Sequence, residues 1–182
     1  MTETTSEWHV RPAEHADMPE ILAIFDAAAA WLVGRGLGGQ WGEDRLSGDS
    51  EFVARIGTWI DDRLAFLAVD GAGSPHGCLV TGIDPPPYLA PETAEAAIRD
   101  AAYVYTLASD MAPGSPGVGV ALLSFAASEA RQLKKRYLRL DCWADNPRLV
   151  AYYRRHGFAT CGDYTEEGWH GSLMELSLDR FV

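Results

Sequence analysis

Tyr103-Val-Tyr-Thr-Leu-Ala-Ser-Asp-Met-Ala-Pro-Gly-Ser-Pro-Gly-Val-Gly-Val120 is the stretch that decides how this chain is read. Its first six residues are a short apolar run rich in strand formers. Pro113-Gly-Ser-Pro-Gly-Val-Gly-Val120 then leads into a helical period from Gly117 to Leu133, with Val120, Leu123, Ala127 and Ala130 on the side to be buried. Glycines let backbone come close to a ligand, and a helix start presents N–H groups without internal partners and a partial positive charge. A strand–turn–helix junction of this kind suits a phosphate or pyrophosphate. Taken alone, the segment is more simply a Gly/Pro turn. No Gly-Lys-Ser/Thr follows, so it is not a P-loop, and its late position does not make a dinucleotide fingerprint.

Downstream the elements alternate. Tyr137-Leu-Arg-Leu-Asp-Cys-Trp143 reads as a strand, Pro147 to Arg155 as a helix opened by proline at its first turn, Phe158 to Thr165 as a strand and Ser172 to Leu178 as a last strand. A strand–helix–strand–helix–strand series implies parallel pairing there. Upstream, Trp8 to Pro12 is a short strand. Ala16 to Val33 is a helix with Ile21, Leu22, Phe25, Ala28, Ala29 and Leu32 on one face, ended by Gly34-Arg-Gly-Leu-Gly-Gly39. Ser50 to Ile60 is a second helix with Phe52, Ile56 and Trp59 to bury. Leu64–Val69 and Cys78–Thr81 form a hairpin across Asp70–Pro75, which implies antiparallel pairing. Asp84-Pro-Pro-Pro87 forces an extended break, and Pro91 to Arg99 can make one short helix. The expected fold is α/β (α+β): a single domain over residues 1–182, with a mixed sheet flanked by helices.

The composition of the 182 residues sets the outer bounds. Fifteen basic residues against 26 acidic give a net charge of −11, and 47% of residues are hydrophobic, the mix of a globular domain with a core. That acidity argues against nucleic acid as a partner, since gripping a phosphate backbone needs clustered Lys and Arg. Cys78, Cys142 and Cys161 stand far apart, as reduced thiols do, and give no zinc spacing. The start carries no basic and apolar leader, and Ile21–Val33, broken by Asp26, is too short to span a bilayer. The expectation is a soluble, cytoplasmic protein with no membrane partner. His9, His15, His76 and His170 are scattered and suggest no metal set.

Asn146-Pro-Arg-Leu-Val-Ala-Tyr-Tyr-Arg-Arg-His-Gly-Phe158 follows the Tyr137–Trp143 strand, and with it the sequence resembles the GNAT acetyltransferase superfamily. Leu107 to Gly119 matches that family's strand and pyrophosphate loop without a gap. Leu138–Trp143 looks like its next strand, and Asn146–Tyr153, Gly157 and Phe158 like its following loop and helix. The likeness is firm over Tyr103–Phe158. It implies a central pair of parallel strands that splay apart to admit acetyl-CoA. It further implies that Leu107, Ala108 and Ser109 bind the pantetheine arm through their backbone. Gly114, Ser115, Gly117, Val118, Gly119 and Val120 would hold the pyrophosphate, and Asn146 would steady the coenzyme. Tyr153 stands where the family places the acid for the leaving thiolate, which would make it both catalytic and coenzyme-binding. Trp31, Gln40, Trp41 and Tyr105 fall on the side that takes the acceptor in this family.

The activity so implied is transfer of acetyl from acetyl-CoA to a primary amine of a small molecule or peptide, by direct attack, without a nucleophilic cysteine or a metal. Small domains of this type commonly pair, so a homodimer is an expectation. Between Arg131 and Arg155 eight basic residues face two acidic ones, a local +6 that leaves −17 for the remainder. The basic zone suits the phosphates of CoA and the acidic remainder a cationic acceptor. Two departures stand in the loop: Gly114 replaces the family's usual Gln or Arg, and Pro116 removes one backbone N–H. No glutamate lies on the Tyr103–Ala108 strand to serve as base, which leaves a water relay to Asp110, Asp100 or Glu92. These departures keep a non-catalytic acyl-CoA-binding module as the alternative.

Overall fold

The computed structural model describes residues 8–86, 100–111 and 116–179. Among them the strands are β1 (His9–Pro12), β2 (Ala65–Val69), β3 (Pro75–Gly82), β4 (Ala101–Ser109), β5 (Tyr137–Trp143), β6 (Ala159–Glu166) and β7 (Trp169–Ser177). The helices are α1 (Met18–Val33), α2 (Ser50–Asp61), α3 (Val118–Gln132) and α4 (Pro147–Arg155). The strands form one seven-stranded mixed sheet in the order β1-β2-β3-β4-β5-β7-β6. The helix expected over Pro91–Arg99, the end of the proline run at Pro87, and Gly114 and Ser115 lie outside the described residues.

The described residues group into two compact units. The first runs to Val80 and takes in Thr106–Ser124. In it β1, β2 and β3 form an antiparallel meander, with Val10 opposite Ala68 and Leu67 opposite Cys78. α1 buries Ile21, Ile24, Phe25, Ala28, Ala29 and Leu32, so Ile24 takes the core place expected of Leu22. α2 is capped by Asp49, whose carboxylate accepts the N–H groups of Glu51 and Phe52, and it buries Phe52, Ile56 and Ile60. Here Ile60, and not Trp59, fills the core. Phe25 and Phe52 meet edge to face at 5.0 Å. Asp26, on the polar side of α1, accepts Ser47 N–H at 2.9 Å and Ser47 Oγ at 2.6 Å, tying down the turn at Leu46–Gly48.

The second unit holds Thr81–Tyr105 and the chain from Phe125 onward. β4 and β5 run parallel, paired from Ala101↔Tyr137 to Val104↔Leu140. β5 alternates, with Leu138, Leu140 and Cys142 buried. The parallel expectation holds for this pair alone. β5 pairs antiparallel with β7 over Tyr137↔Ser177 to Trp143↔Gly171, and β6 lies outside β7. The reason is local: Glu167 and Gly168 both have positive φ (48° and 85°), the geometry of a tight two-residue hairpin, so β7 folds straight back along β6 and β5 receives it. The β6–β7 register slips between Thr160 and Gly162, which leaves Cys161 as a bulge. Arg139 on β5 clasps Glu175 on β7 through Nε and Nη2 at 2.8 and 2.6 Å.

Candidate active site

In the first unit, the end of β4 passes into the start of α3. The β4–β5 register stops at Val104↔Leu140 while β4 continues to Ser109. Leu107 and Ser109 are partly exposed and Ala108 is buried. Gly117 sits at φ +86°, a conformation that glycine adopts without strain, and its carbonyl accepts Ala121 N–H at 2.9 Å to begin the helix. Val118 is buried, whereas Val120, expected on the buried side, is 39% exposed. The helical period was right; it rotates the third residue of the first turn outward. That turn holds no acidic residue and Gly117 has no side chain to cap it, so the amides of Val118, Gly119 and Val120 form a helix start at the positive end of the helix dipole. This is a fit for an anionic group, and Pro116 subtracts only one donor from it.

The position of that turn is set by Gly77 in β3, which sequence reading passed over. A Cβ there would overlap Val118 Cγ1 and would lie 3.0 Å from Leu122 Cδ1 and 3.1 Å from Ala108 O. Glycine is therefore what lets α3 pack down on the strand. Beside it, His76 is not the isolated histidine its sequence position suggests. Its Nδ1 lies 2.6 Å from Asp110 Oδ2 and its Nε2 3.3 Å from Asp70 Oδ2. Two carboxylates need two donors, and only the imidazolium carries a proton on both nitrogens. Burial alone would lower the His76 pKa, but the aspartates outweigh it and hold it above the ordinary value. Asp110, a candidate for relaying the acceptor's proton, is thus engaged by a cation.

Of the residues expected on the acceptor side, three lie in this unit. Trp31 projects from α1 with the Arg35 guanidinium 3.7 Å from its ring centre. Gln40 ends the short turn Gly38–Gln40, and Trp41 packs on the buried Phe25 at 5.7 Å.

In the second unit, Tyr105 donates its hydroxyl to Asp84 O at 2.8 Å, and its ring lies over Gly82, where a Cβ would come within 2.5 Å of the phenol oxygen. α4 opens at Asn146, whose side chain, buried, accepts Leu149 N–H at 3.2 Å, and closes at Gly157 (φ +89°), past which Phe158 N–H returns to Tyr153 O at 3.1 Å. Both ends of the helix are thereby fixed, and with them Tyr153. Tyr153 is 8% exposed, between Phe158 (ring centres 5.7 Å apart) and Tyr152 (5.4 Å). Its hydroxyl donates to no group among the described residues. Burial drives its pKa well above the usual phenol range. A phenol so placed keeps its proton at neutral pH, the form a general acid needs. Burial also pushes the thiols of Cys78 and Cys142 up to about 12, which leaves both poor nucleophiles.

Among the described residues there is no group of three His, Cys, Asp or Glu able to hold a metal ion, and no helix long and apolar enough to cross a membrane. Residues 35–158 match the family model described as the acetyltransferase (GNAT) family. No curated protein matches the sequence significantly. Among solved structures, the chain is similar to a GNAT-family acetyltransferase from Listeria monocytogenes 4b F2365, with 24% identity and a TM-score of 0.71 over 97% of this chain and 99% of that one. It is similar to the ribosomal-protein-alanine N-acetyltransferase of Brucella melitensis, with 22% identity and a TM-score of 0.66 over 93% and 99%. It also resembles yncA of Salmonella typhimurium, solved with its cofactor acetyl-CoA, with 20% identity and a TM-score of 0.66 over 97% of each chain. Those likenesses establish the fold. The family match runs through β4, the turn before α3, β5 and α4, over more than half of the residues, and the chain belongs to the acetyltransferase (GNAT) family.

Proposed function

We propose that this acetyltransferase passes the acetyl group of acetyl-CoA to a primary amine of a small molecule or peptide by direct attack, with Tyr153 as the general acid. The observation that carries the reading is the Tyr153 phenol: buried, bound to no described partner and too weak an acid to lose its proton at neutral pH. The amine lone pair attacks the thioester carbonyl carbon, the attacking nitrogen sheds its surplus proton to water, the carbon–sulfur bond breaks, and the sulfur takes the phenol proton to leave as the CoA thiol. Tyr153 then recovers a proton from solvent. The amine must first lose its own proton, since free primary amines titrate near pH 10.4.

In this reading Leu107, Ala108 and Ser109 line up the pantetheine arm, and the amides of Gly117, Val118, Gly119 and Val120 hold the pyrophosphate, alongside Gly114 and Ser115. Asn146 acts by fixing the start of the helix that carries Tyr153. Trp31, Gln40, Trp41 and Tyr105 serve the acceptor. The Trp31 face already takes a guanidinium at 3.7 Å, which, with the acidity of the chain outside Arg131–Arg155, favours a cationic amine. Three free cysteines, two of them buried, suit a cytoplasmic enzyme.

The test is thiol release from acetyl-CoA over a panel of polyamines, amino acids and peptides, in the intact protein and in Tyr153→Phe. Turnover in the variant should fall about 100-fold, the usual share of a general acid, while the Kd for CoA changes less than twofold. Equal loss of turnover and CoA affinity would make Tyr153 a packing residue. Tight CoA binding with no thiol release over any amine would favour the non-catalytic binding module.

A further inference from the structure

Two side chains without a role so far meet at the turn that leads into α3. Asp110, the residue after β4, is held twice by His76: its carboxylate by the imidazole at 2.6 Å, and its N–H by the His76 carbonyl at 2.9 Å. Pro116, the residue before Gly117, is held by Trp8, whose indole Nε1 donates to the Pro116 carbonyl at 3.0 Å. The two rings meet edge to face, with centres 5.2 Å apart and planes at 61°. One pair of touching rings, one on β3 and one just ahead of β1, therefore anchors both Asp110, at the end of β4, and Pro116, at the entry to α3. Asp70, in the turn between β2 and β3, holds the far side of the imidazole, while its carboxylate also accepts the N–H groups of Ala72 and Ser74 at 2.9 Å each.

We propose that His76 and Trp8 are positioning residues that brace the end of β4 and the entry to α3, holding the amides of Gly117–Val120 ready for the coenzyme pyrophosphate. The inference rests on the acetyl-CoA reading above and adds to it the device that sets affinity. A helix start whose entry is already pinned at Pro116 has less to order when the ligand arrives, and that saving appears directly in the dissociation constant. The brace touches neither the thioester nor the acceptor. Its loss should therefore weaken only ligands that carry the pyrophosphate.

The experiment is calorimetric titration of CoA and of S-acetylpantetheine, which lacks the pyrophosphate, into the intact protein, Trp8→Phe and His76→Asn. Trp8→Phe keeps a ring against His76 and removes only the indole donor, so it tests the brace even where His76→Asn folds poorly. The Kd for CoA should rise about fivefold in Trp8→Phe, the equivalent of one hydrogen bond of about 1 kcal/mol, and about tenfold in His76→Asn. The Kd for S-acetylpantetheine should stay within twofold in both. Unchanged CoA affinity in folded variants, or equal weakening of both ligands, overturns the brace while leaving the enzyme reading intact. Failure of the intact protein to bind CoA at all overturns the enzyme reading itself, and the brace with it.

Discussion

The starts of α3 and α4 are made of opposite materials. At α4 the Asn146 side chain accepts the Leu149 N–H, and Pro147 brings no N–H that needs a partner, so the chain itself completes the helix end. At α3 a left-handed glycine precedes Val118-Gly119-Val120, and no side chain of the first turn can accept their protons. A cap is worth about 1 kcal/mol. The described first turn of α3 offers none, and in the acetyl-CoA reading proposed above the pyrophosphate supplies those hydrogen bonds. Two helices of one sheet thus differ in what finishes them. The closed start orients a side chain, and on the proposed reading the open one receives a ligand.

That contrast can be broken at its packing first. Gly77→Ala would drive a methyl into Val118 and Leu122, with no soft neighbour on the backbone side at Ala108 O. Overpacking of this kind costs about 1–3 kcal/mol. Urea unfolding should show that loss, and CoA should bind more weakly because Val118 opens α3. Unchanged stability would mean that the helix start is not set by β3.

Val120→Glu sharpens the comparison by giving α3 the first-turn acid it lacks. The exposed side chain should stabilise the helix by roughly 0.5 kcal/mol and repel the pyrophosphate, weakening CoA about tenfold, or 1.4 kcal/mol. A higher melting temperature with poorer binding is the expected signature. Tighter or unaltered CoA binding would show that the anion sits elsewhere.

At the closed end, Asn146→Ala should lose about 1 kcal/mol in denaturant unfolding and Asn146→Asp much less, since aspartate caps equally well. Should Asn146→Asp keep its stability yet lose CoA affinity, Asn146 would touch the coenzyme as well as cap the helix.

The smallest effect is in pH. His76 has its folded-state pKa raised by Asp110 and Asp70 above the ordinary 6.5, against the opposing pull of burial. Its contribution to stability is complete below about pH 6.5 and disappears as the pH rises through the raised value. Unfolding free energies of the intact protein and His76→Asn should therefore converge toward alkaline pH. A constant gap would assign His76 to packing alone.

What the sequence made legible follows from how local each signal is. β5 and α4 fall at Tyr137–Trp143 and Pro147–Arg155, as read, because strict alternation and a proline-led start are written within a few neighbouring residues. The parallel pairing expected beyond β5 gives way to antiparallel pairing, since β6 is largely exposed and shows no alternation that would reveal its neighbour. The Glu167-Gly168 turn was the available sign. The His76–Asp110 pair joins positions 34 residues apart, and Gly77 matters only once α3 lies across it. No spacing rule encodes either. Tyr153 was found through its motif, but the burial that suppresses its acidity depends on Phe158, Tyr152 and the sheet beneath.

The slip in β6 at Cys161 carries a consequence for how the molecule meets others like itself. β6 is the last strand on its side of the sheet, the position where a stray chain could add itself through free backbone groups. A bulge there throws the outer rim out of step, and Asp163 and Glu166 place negative charge along it. A strand arriving from solution finds neither a straight ladder nor a neutral one, and among the described residues the sheet ends at β6.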